Sequence, residues 1–192
     1  MKIGVLAVQG AFIEHETMIK KLGASCTEIR QKSDLDSIDG IILPGGESTV
    51  QGKLLRNLDM LETLQTKISQ GLPVLATCAG LILLAENIEN DETRHISTLP
   101  VTVKRNAYGR QLGSFQTIGT VGNIENFPMT FIRAPYITDT AEEVTILSAI
   151  DSKIVGVRYQ NQIALSFHPE ITEDLRIHKL FLEIVQNHKE GK

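Results

Sequence analysis

Cysteine is scarce in this chain: only two occur in 192 residues. Cys26 and Cys78 stand in such different sequence settings that a disulfide framework is excluded as the source of stability. Basic clusters are lacking as well. The 19 Lys and Arg are scattered among 23 Asp and Glu, for a net charge of −4, which leaves no electrostatic footprint for nucleic acid. No apolar run is long enough to span a bilayer, so no membrane partner is expected. The opening MKIGVLAVQG lacks the length and cleavage pattern of a secretory signal, and a reducing cytoplasm is the expected compartment. Metal-binding spacings of the Cys-x-x-Cys and His-Glu-x-x-His kind are missing, and Glu14-His15-Glu16 on one helix cannot converge on an ion. The Gly-x-Gly-x-x-Gly and Walker patterns are absent too. No metal and no cofactor are expected, and there is no repeat, low-complexity tract or linker.

What remains is 42% hydrophobic and 22% charged, enough for a sizeable core in one domain over residues 1–192. Short β-rich runs alternate with amphipathic stretches, the pattern of βα units winding a parallel sheet with helices on both faces. Strands are predicted at Ile3 to Val8, Cys26 to Arg30, Gly40 to Leu43 and Val74 to Thr77. A helix is expected between the first two, where Ala11, His15, Met18 and Leu22 recur and Gly23 supplies a stop. A single long helix is expected from Ser48 to Gln70, and another directly behind Cys78. From 87 to 131 the rhythm changes to irregular or antiparallel structure, read as an insertion. Strand candidates then resume at Met129 to Arg133, Val144 to Ala149, Ile154 to Tyr159 and Ile163 to Phe167. A closing helix from Glu173 to His188 places Ile177, Leu180, Phe181 and Ile184 on one face.

Chemistry concentrates at two strand ends. Thr77-Cys78-Ala79-Gly80 follows an apolar strand and opens a helix, so Cys78 is expected on a tight turn at the carboxyl edge of the sheet, where open α/β sheets place their ligands. A helix N-terminus there favours the thiolate. Ala79 and Gly80 are small enough to admit a substrate carbonyl, and the Ala79 N–H can face an oxyanion. A buried core cysteine is the competing reading, and a partner base decides between them. His15, His178 and His188 on helices and His95 in the polar insertion suit solvated or partly packed roles. His168 ends a strand and precedes Pro169 and Glu170. In an extended chain His168 and Glu170 share a side, so the carboxylate can fix the tautomer of an imidazole that serves as base. Pro44-Gly45-Gly46-Glu47-Ser48 joins a strand to a helix and offers the Gly46 N–H as a second oxyanion donor. Arg105 and Arg133 are candidates for pairing with a carboxylate, Arg133 with the stronger claim.

These residues resemble the class I glutamine amidotransferases and, among them, the glutaminase-subunit family of pyridoxal 5′-phosphate synthase. The likeness covers nearly the whole chain. It is carried by Ile3 to Gly10, Leu43-Pro44-Gly45-Gly46-Glu47-Ser48-Thr49, Thr77 to Ala85, Arg105-Asn106-Ala107-Tyr108-Gly109-Arg110-Gln111, Phe131-Ile132-Arg133-Ala134-Pro135 and Phe167-His168-Pro169-Glu170. The resemblance implies a flavodoxin-like α/β fold with a mixed, mostly parallel central sheet flanked by helices. It implies Cys78 as nucleophile, His168 as base and Glu170 as orienter, with glutamine contacts from Gly46, Glu47, Ser48, Arg105, Ile132 and Arg133. The implied reaction hydrolyses L-glutamine to L-glutamate and ammonia, which passes to a separate (βα)8-barrel synthase subunit in a hetero-oligomeric complex for vitamin B6 biosynthesis. Alternatives are a glutaminase serving another synthase, such as imidazole glycerol phosphate synthase, a silent regulatory subunit, or a cysteine peptidase of related architecture.

Overall fold

The computed structural model describes residues 1–105 and 113–191. Asn106 to Gln111 of the motif that opens at Arg105 lie outside the described residues. A ten-stranded sheet forms the centre. Its parallel half consists of β1 (Lys2–Leu6), β2 (Ser25–Ile29), β3 (Gly40–Leu43), β4 (Val74–Thr77) and β12 (Gln162–Leu165), in the spatial order β2-β1-β3-β4-β12. The other half continues from β12 through β11 (Lys153–Tyr159), β9 (Tyr136–Thr140) and β6 (Leu99–Lys104) to β5 (Ala85–Ile88), with β10 (Thr145–Ile150) also paired to β11. Within it, β11 is antiparallel to β12, β9 and β10, while β5 and β6 run parallel. The sheet is therefore mixed and mostly parallel, as the resemblance implies.

Strands β3, β4 and β12 are buried along their whole length, the mark of a sheet covered on both faces. Their alternate side chains feed two cores. Ile41, Leu43, Val74 and Ala76 pack with Leu55, Leu64 and Ile68 from α2 (Ser48–Asn57) and α3 (Leu61–Ser69), and with Leu81 and Leu84 from α4 (Ala79–Leu84). Ile42 and Leu75 pack with Ile19 of α1 (Phe12–Lys21) and with Ile177, Phe181 and Val185 of α5 (Arg176–Lys189) on the other face. Fully burying each of those three α5 side chains contributes about 1.5–3 kcal/mol, so the stripe predicted for the closing helix anchors it.

Three helix ends explain where the predicted boundaries succeed and fail. Gly23 (φ 78°) follows α1 and Gly71 (φ 102°) follows α3. At each, paired backbone bonds close a Schellman motif: Gly23 N–H to Lys20 and Ala24 N–H to Ile19, then Gly71 N–H to Ile68 and Leu72 N–H to Lys67. The expected single helix from Ser48 to Gln70 is instead two, because the same motif closes α2. Asp59 takes the left-handed position (φ 54°), its N–H bonds Arg56, and the Met60 N–H bonds Leu55. No glycine marks that stop, and the apolar period runs through it.

The stretch 87–131 holds the antiparallel structure expected of it and, beyond that expectation, a strand of the main sheet. β6 alternates buried Leu99, Val101 and Val103 with half-buried Pro100, Thr102 and Lys104 and joins the main sheet. β7 (Ser114–Val121) and β8 (Ile124–Ile132) form an antiparallel hairpin, whose Phe127, Met129 and Phe131 close the second core.

Candidate active site

Cys78 sits at the turn between β4 and α4 in a strained left-handed conformation (φ 47°, ψ −100°), a geometry that non-glycine residues adopt where a scaffold enforces it. Two contacts do so. The Cys78 N–H donates to Leu165 O of β12 at 2.8 Å, and α4 packs flush on β3 at Gly80, where an added Cβ would lie 2.1 Å from Leu43 O. Gly80 is thus required for close helix-on-strand packing; the expectation that it leaves room for a substrate carbonyl is corrected on this point. The side chain of Cys78 is 7% exposed and its Sγ lies 3.9 Å from Ile132 O.

His168 follows β12 at the neighbouring strand end, its N–H held by Thr130 O at 2.8 Å. Its Nδ1 is 2.7 Å from Glu170 Oε1. The pairing arises differently from the expectation that the two share a side of an extended chain. His168 caps a short 3-10 turn, Pro169–Ile171, and the turn folds Glu170 back onto the ring. Burial alone would push the imidazole down, yet hydrogen bonds to Cys78 and Glu170 and the charge on both raise it to about 10. Burial also works against the Glu170 carboxylate, but His15 and His168 hold it below the usual carboxylate range. The sequence-predicted trio is therefore brought together, with Glu170 beneath His168 and Cys78 beside it.

Cys78 and His168 floor a cavity of about 430 Å³ that is also lined by Gly46, Glu47, Ser48, Arg105, Ile132 and Arg133, with Gln9 and Ile82. Ala79 is the first residue of α4 and does not line it; its N–H belongs to the first turn, which has no intrahelical acceptor. The glycine loop lies against the base: a Cβ at Gly45 would meet His168 Cε1 at 2.3 Å. Arg133 (φ 42°) crosses the mouth to Glu47 at 3.4 Å, both well exposed. Of the two arginines, Arg105 is the less exposed. One terminal nitrogen pairs with Asp91 at 3.1 Å, while Nε and the other terminal nitrogen are buried with no hydrogen-bond partner among the described residues, leaving a planar pair of donors for an anion.

Two features escaped sequence reasoning. Gln9 braces the loop: its Oε1 accepts the Glu47 N–H at 2.9 Å, and Gln51 Nε2 donates to Gln9 O and Pro44 O at 3.0 and 3.2 Å. The Glu47 amide is thereby occupied, so any Glu47 contact with a ligand uses other atoms. His15 and His178, expected to be solvated or partly packed, are fully buried and lie 2.9 Å apart, Nδ1 to Nε2. His95, with the same expectation, is buried too. These histidines come from distant parts of the chain, and no local pattern signals their meeting. Among the described residues no group of three or more His, Cys, Asp or Glu is arranged to hold a metal ion.

A cysteine elbow and a His–Glu pair at adjacent carboxyl ends of a mostly parallel sheet define the class I glutamine amidotransferase fold. A solved structure described as a glutamine amidotransferase superposes with a TM-score of 0.92 at 40% identity, covering 96% of this chain and 98% of that one. The chain belongs to the SNO glutamine amidotransferase family, whose pattern matches residues 5–187. Among its relatives, pyridoxal 5′-phosphate synthase subunit PdxT of Desulfitobacterium hafniense (strain DSM 10664 / DCB-2) is 61% identical over 98% of this chain and 96% of its own length. The protein of the same name from Methanocorpusculum labreanum is 53% identical over 96% of this chain and 98% of its own.

Proposed function

We propose that this chain, acting as one domain, is the glutaminase subunit of a pyridoxal 5′-phosphate synthase. It hydrolyses L-glutamine to L-glutamate and ammonia and hands the ammonia to a (βα)8-barrel synthase subunit. The observation that carries the reaction is the linked Cys78, His168 and Glu170 at the floor of a pocket with cationic and anionic groups at its rim. A free amino acid with both charged ends suits that rim: Arg105 takes the carboxylate, and Glu47 faces the ammonium.

The Cys78 sulfur attacks the side-chain amide carbon, and the amide N–H of Ala79 and that of Gly46 receive the developing oxyanion. The C–N bond breaks as imidazolium His168 delivers its proton to the leaving ammonia, giving a thioester. Neutral His168 then takes a proton from water, whose hydroxyl replaces sulfur on the acyl carbon, and glutamate leaves as the starting pair is restored. Glu170 keeps the His168 Nδ1 proton in place throughout. Ser48 and Ile132 complete the pocket wall. We further place the protein in a reducing cytoplasm; no helix of the described residues is long and apolar enough to cross a membrane, and both cysteines are free.

The test is ammonia release from L-glutamine by the purified chain, alone and with a pyridoxal 5′-phosphate synthase barrel subunit, with Cys78→Ala as control. Hydrolysis that rises with the barrel and vanishes in the variant is expected. Activity indifferent to the barrel would reassign the acceptor, and no activity in either condition would overturn the glutaminase assignment.

A further inference from the structure

Behind Glu170 lie two imidazoles, His15 and His178, that the mechanism above does not use. His15 of α1 and His178 of α5 are both completely buried. Burying two imidazoles side by side is costly unless their hydrogen bonds serve a purpose, since apolar side chains fill the same space without that cost. His178 Nδ1 has no hydrogen-bond partner among the described residues, which leaves its proton on Nε2, donating to His15 Nδ1 at 2.9 Å. His15 in turn carries its proton on Nε2, and that N–H faces Thr77 Oγ1 at 3.2 Å and Glu170 Oε2 at 3.4 Å. Glu170 Oε2 is buried and accepts no hydrogen bond of good geometry among the described residues, so the His15 N–H is the dipole set against it. Thr77 Oγ1 also accepts the Gly45 N–H at 3.0 Å. One imidazole thus touches the carboxylate that orients the base and the residue before the nucleophile, and that residue holds the glycine loop.

We propose that His15 and His178 are positioning residues for the hydrolysis: His178 fixes the tautomer of His15, and His15 holds the free oxygen of Glu170 and the Thr77 hydroxyl so that His168 stays aimed at Cys78. This rests on the glutaminase reading above. The ionisable groups facing this cluster are Glu14 beside His15 on α1, His168 and Glu170 on the 3-10 turn, Cys78 on the elbow and His178 on α5. Burial pushes His15 down, so it meets Glu170 as a neutral donor. Removing that donor leaves the Glu170 carboxylate free to turn from the His168 ring, so the imidazolium is less firmly aimed at the Cys78 sulfur.

The experiment uses full-length wild type, His15→Leu, His15→Gln and His178→Leu. Glutaminase kinetics are measured with the barrel subunit present, and the pH profile of Cys78 alkylation by iodoacetamide is followed by peptide mass without it. Leucine removes the donor; glutamine restores an amide near the Nε2 position. Expected for His15→Leu are a drop of about tenfold in kcat with little change in KM, and an acid limb of alkylation moved up by about half a pH unit or more. His15→Gln recovers most of both, and His178→Leu shows the same signs more weakly. An unmoved alkylation limb in folded His15→Leu, or equal losses in the Leu and Gln variants, would overturn the proposal by leaving only a packing role. If His15→Leu does not fold, an unmoved limb in folded His178→Leu overturns it equally. Wild type without glutaminase activity would instead defeat the glutaminase reading, while the alkylation profiles still decide the role of the histidines.

Discussion

The floor and the far wall of the pocket are built on opposite principles. The floor comes from the parallel half of the sheet, where glycine backbone allows close approach: α4 lies on the β3 backbone at Gly80, and the glycine loop lies on the His168 ring at Gly45. Its polar groups are buried and linked from His178 through His15 and Thr77 to Gly45. The far wall comes from the end of β6 in the mixed half and the end of β8 in the separate hairpin, and offers Arg105 and Arg133. Arg133 and its partner Glu47 are largely exposed, with side-chain accessibilities of 71% and 59%, an ion pair worth little to stability. The lesson is a division of labour: the floor sets geometry through close packing, and the wall supplies charge, from an exposed Arg133 and a half-buried Arg105.

That division is most easily broken at Gly80. An alanine there places a methyl carbon 2.1 Å from a backbone oxygen, which can be relieved only by lifting α4 off β3 and moving Cys78 with it. Gly80→Ala is expected to cut glutamine turnover by about a hundredfold or more and to lower stability by about 1–3 kcal/mol, read by steady-state kinetics and urea unfolding. Near-normal turnover would mean that the elbow tolerates displacement and that the floor is not the rigid part. On the wall, Arg105→Met should behave differently. It keeps the stem and removes the buried donors, so KM for glutamine should rise about ten- to a hundredfold, the worth of a charged hydrogen bond, with a smaller change in kcat. A fall confined to kcat would place Arg105 on the chemical step.

Acidity offers a finer comparison, since each region holds a buried histidine. Burial, reinforced by neighbouring His15, pushes His178 under the floor down to about 3. Burial with Arg56 and Arg105 pushes His95 behind the wall down to about 4. Both are neutral when folded, and the unfolded chain takes up their protons below about pH 6.5. Their stabilisation is fully present above that pH and is lost as pH falls toward the folded values, at about 1.4 kcal/mol per pH unit for each proton. His168 has the opposite sign: raised to about 10, it contributes fully below about pH 6.5 and loses that contribution as pH rises through 10. Thermal unfolding should therefore peak near pH 6.5 and decline on both sides, and His95→Leu and His178→Leu should each flatten the limb between about pH 6.5 and 5. A limb unchanged by both substitutions would show that these imidazoles do not set it.

The sequence was most legible where chemistry and backbone signal coincide. Thr77-Cys78-Ala79-Gly80 behind an apolar strand announces the elbow, and Gly23 and Gly71 announce helix ends because glycine alone enters the left-handed region without strain. The His168–Glu170 pairing was legible for a reason that proved different, a 3-10 turn in place of an extended chain. What was not legible depends on long separations. His15 and His178 are 163 residues apart along the chain, and each reads alone as an ordinary helix residue. The surroundings of the arginines were not legible either, since the partial burial of Arg105 depends on its partner Asp91.

The boundary between α2 and α3 allows the smallest and cleanest separation of fold from site. Asp59 occupies a position that Gly23 and Gly71 fill in the sister motifs, and a Cβ in that conformation carries a steric penalty that glycine lacks. Its carboxylate pairs with Lys32 at 2.6 Å, but that pair is exposed and screened by solvent. Asp59→Gly should therefore raise stability by about 0.5–1 kcal/mol, seen as a higher urea midpoint with an unchanged slope. Glutaminase kinetics should not move, because Asp59 pairs with Lys32 away from the pocket and α2 is held to the floor from its other end, through Gln51. A stability gain accompanied by lost turnover would show that the α2–α3 break tunes the glycine loop from a distance, and the floor would then extend further than the close contacts at Gly45 and Gly80.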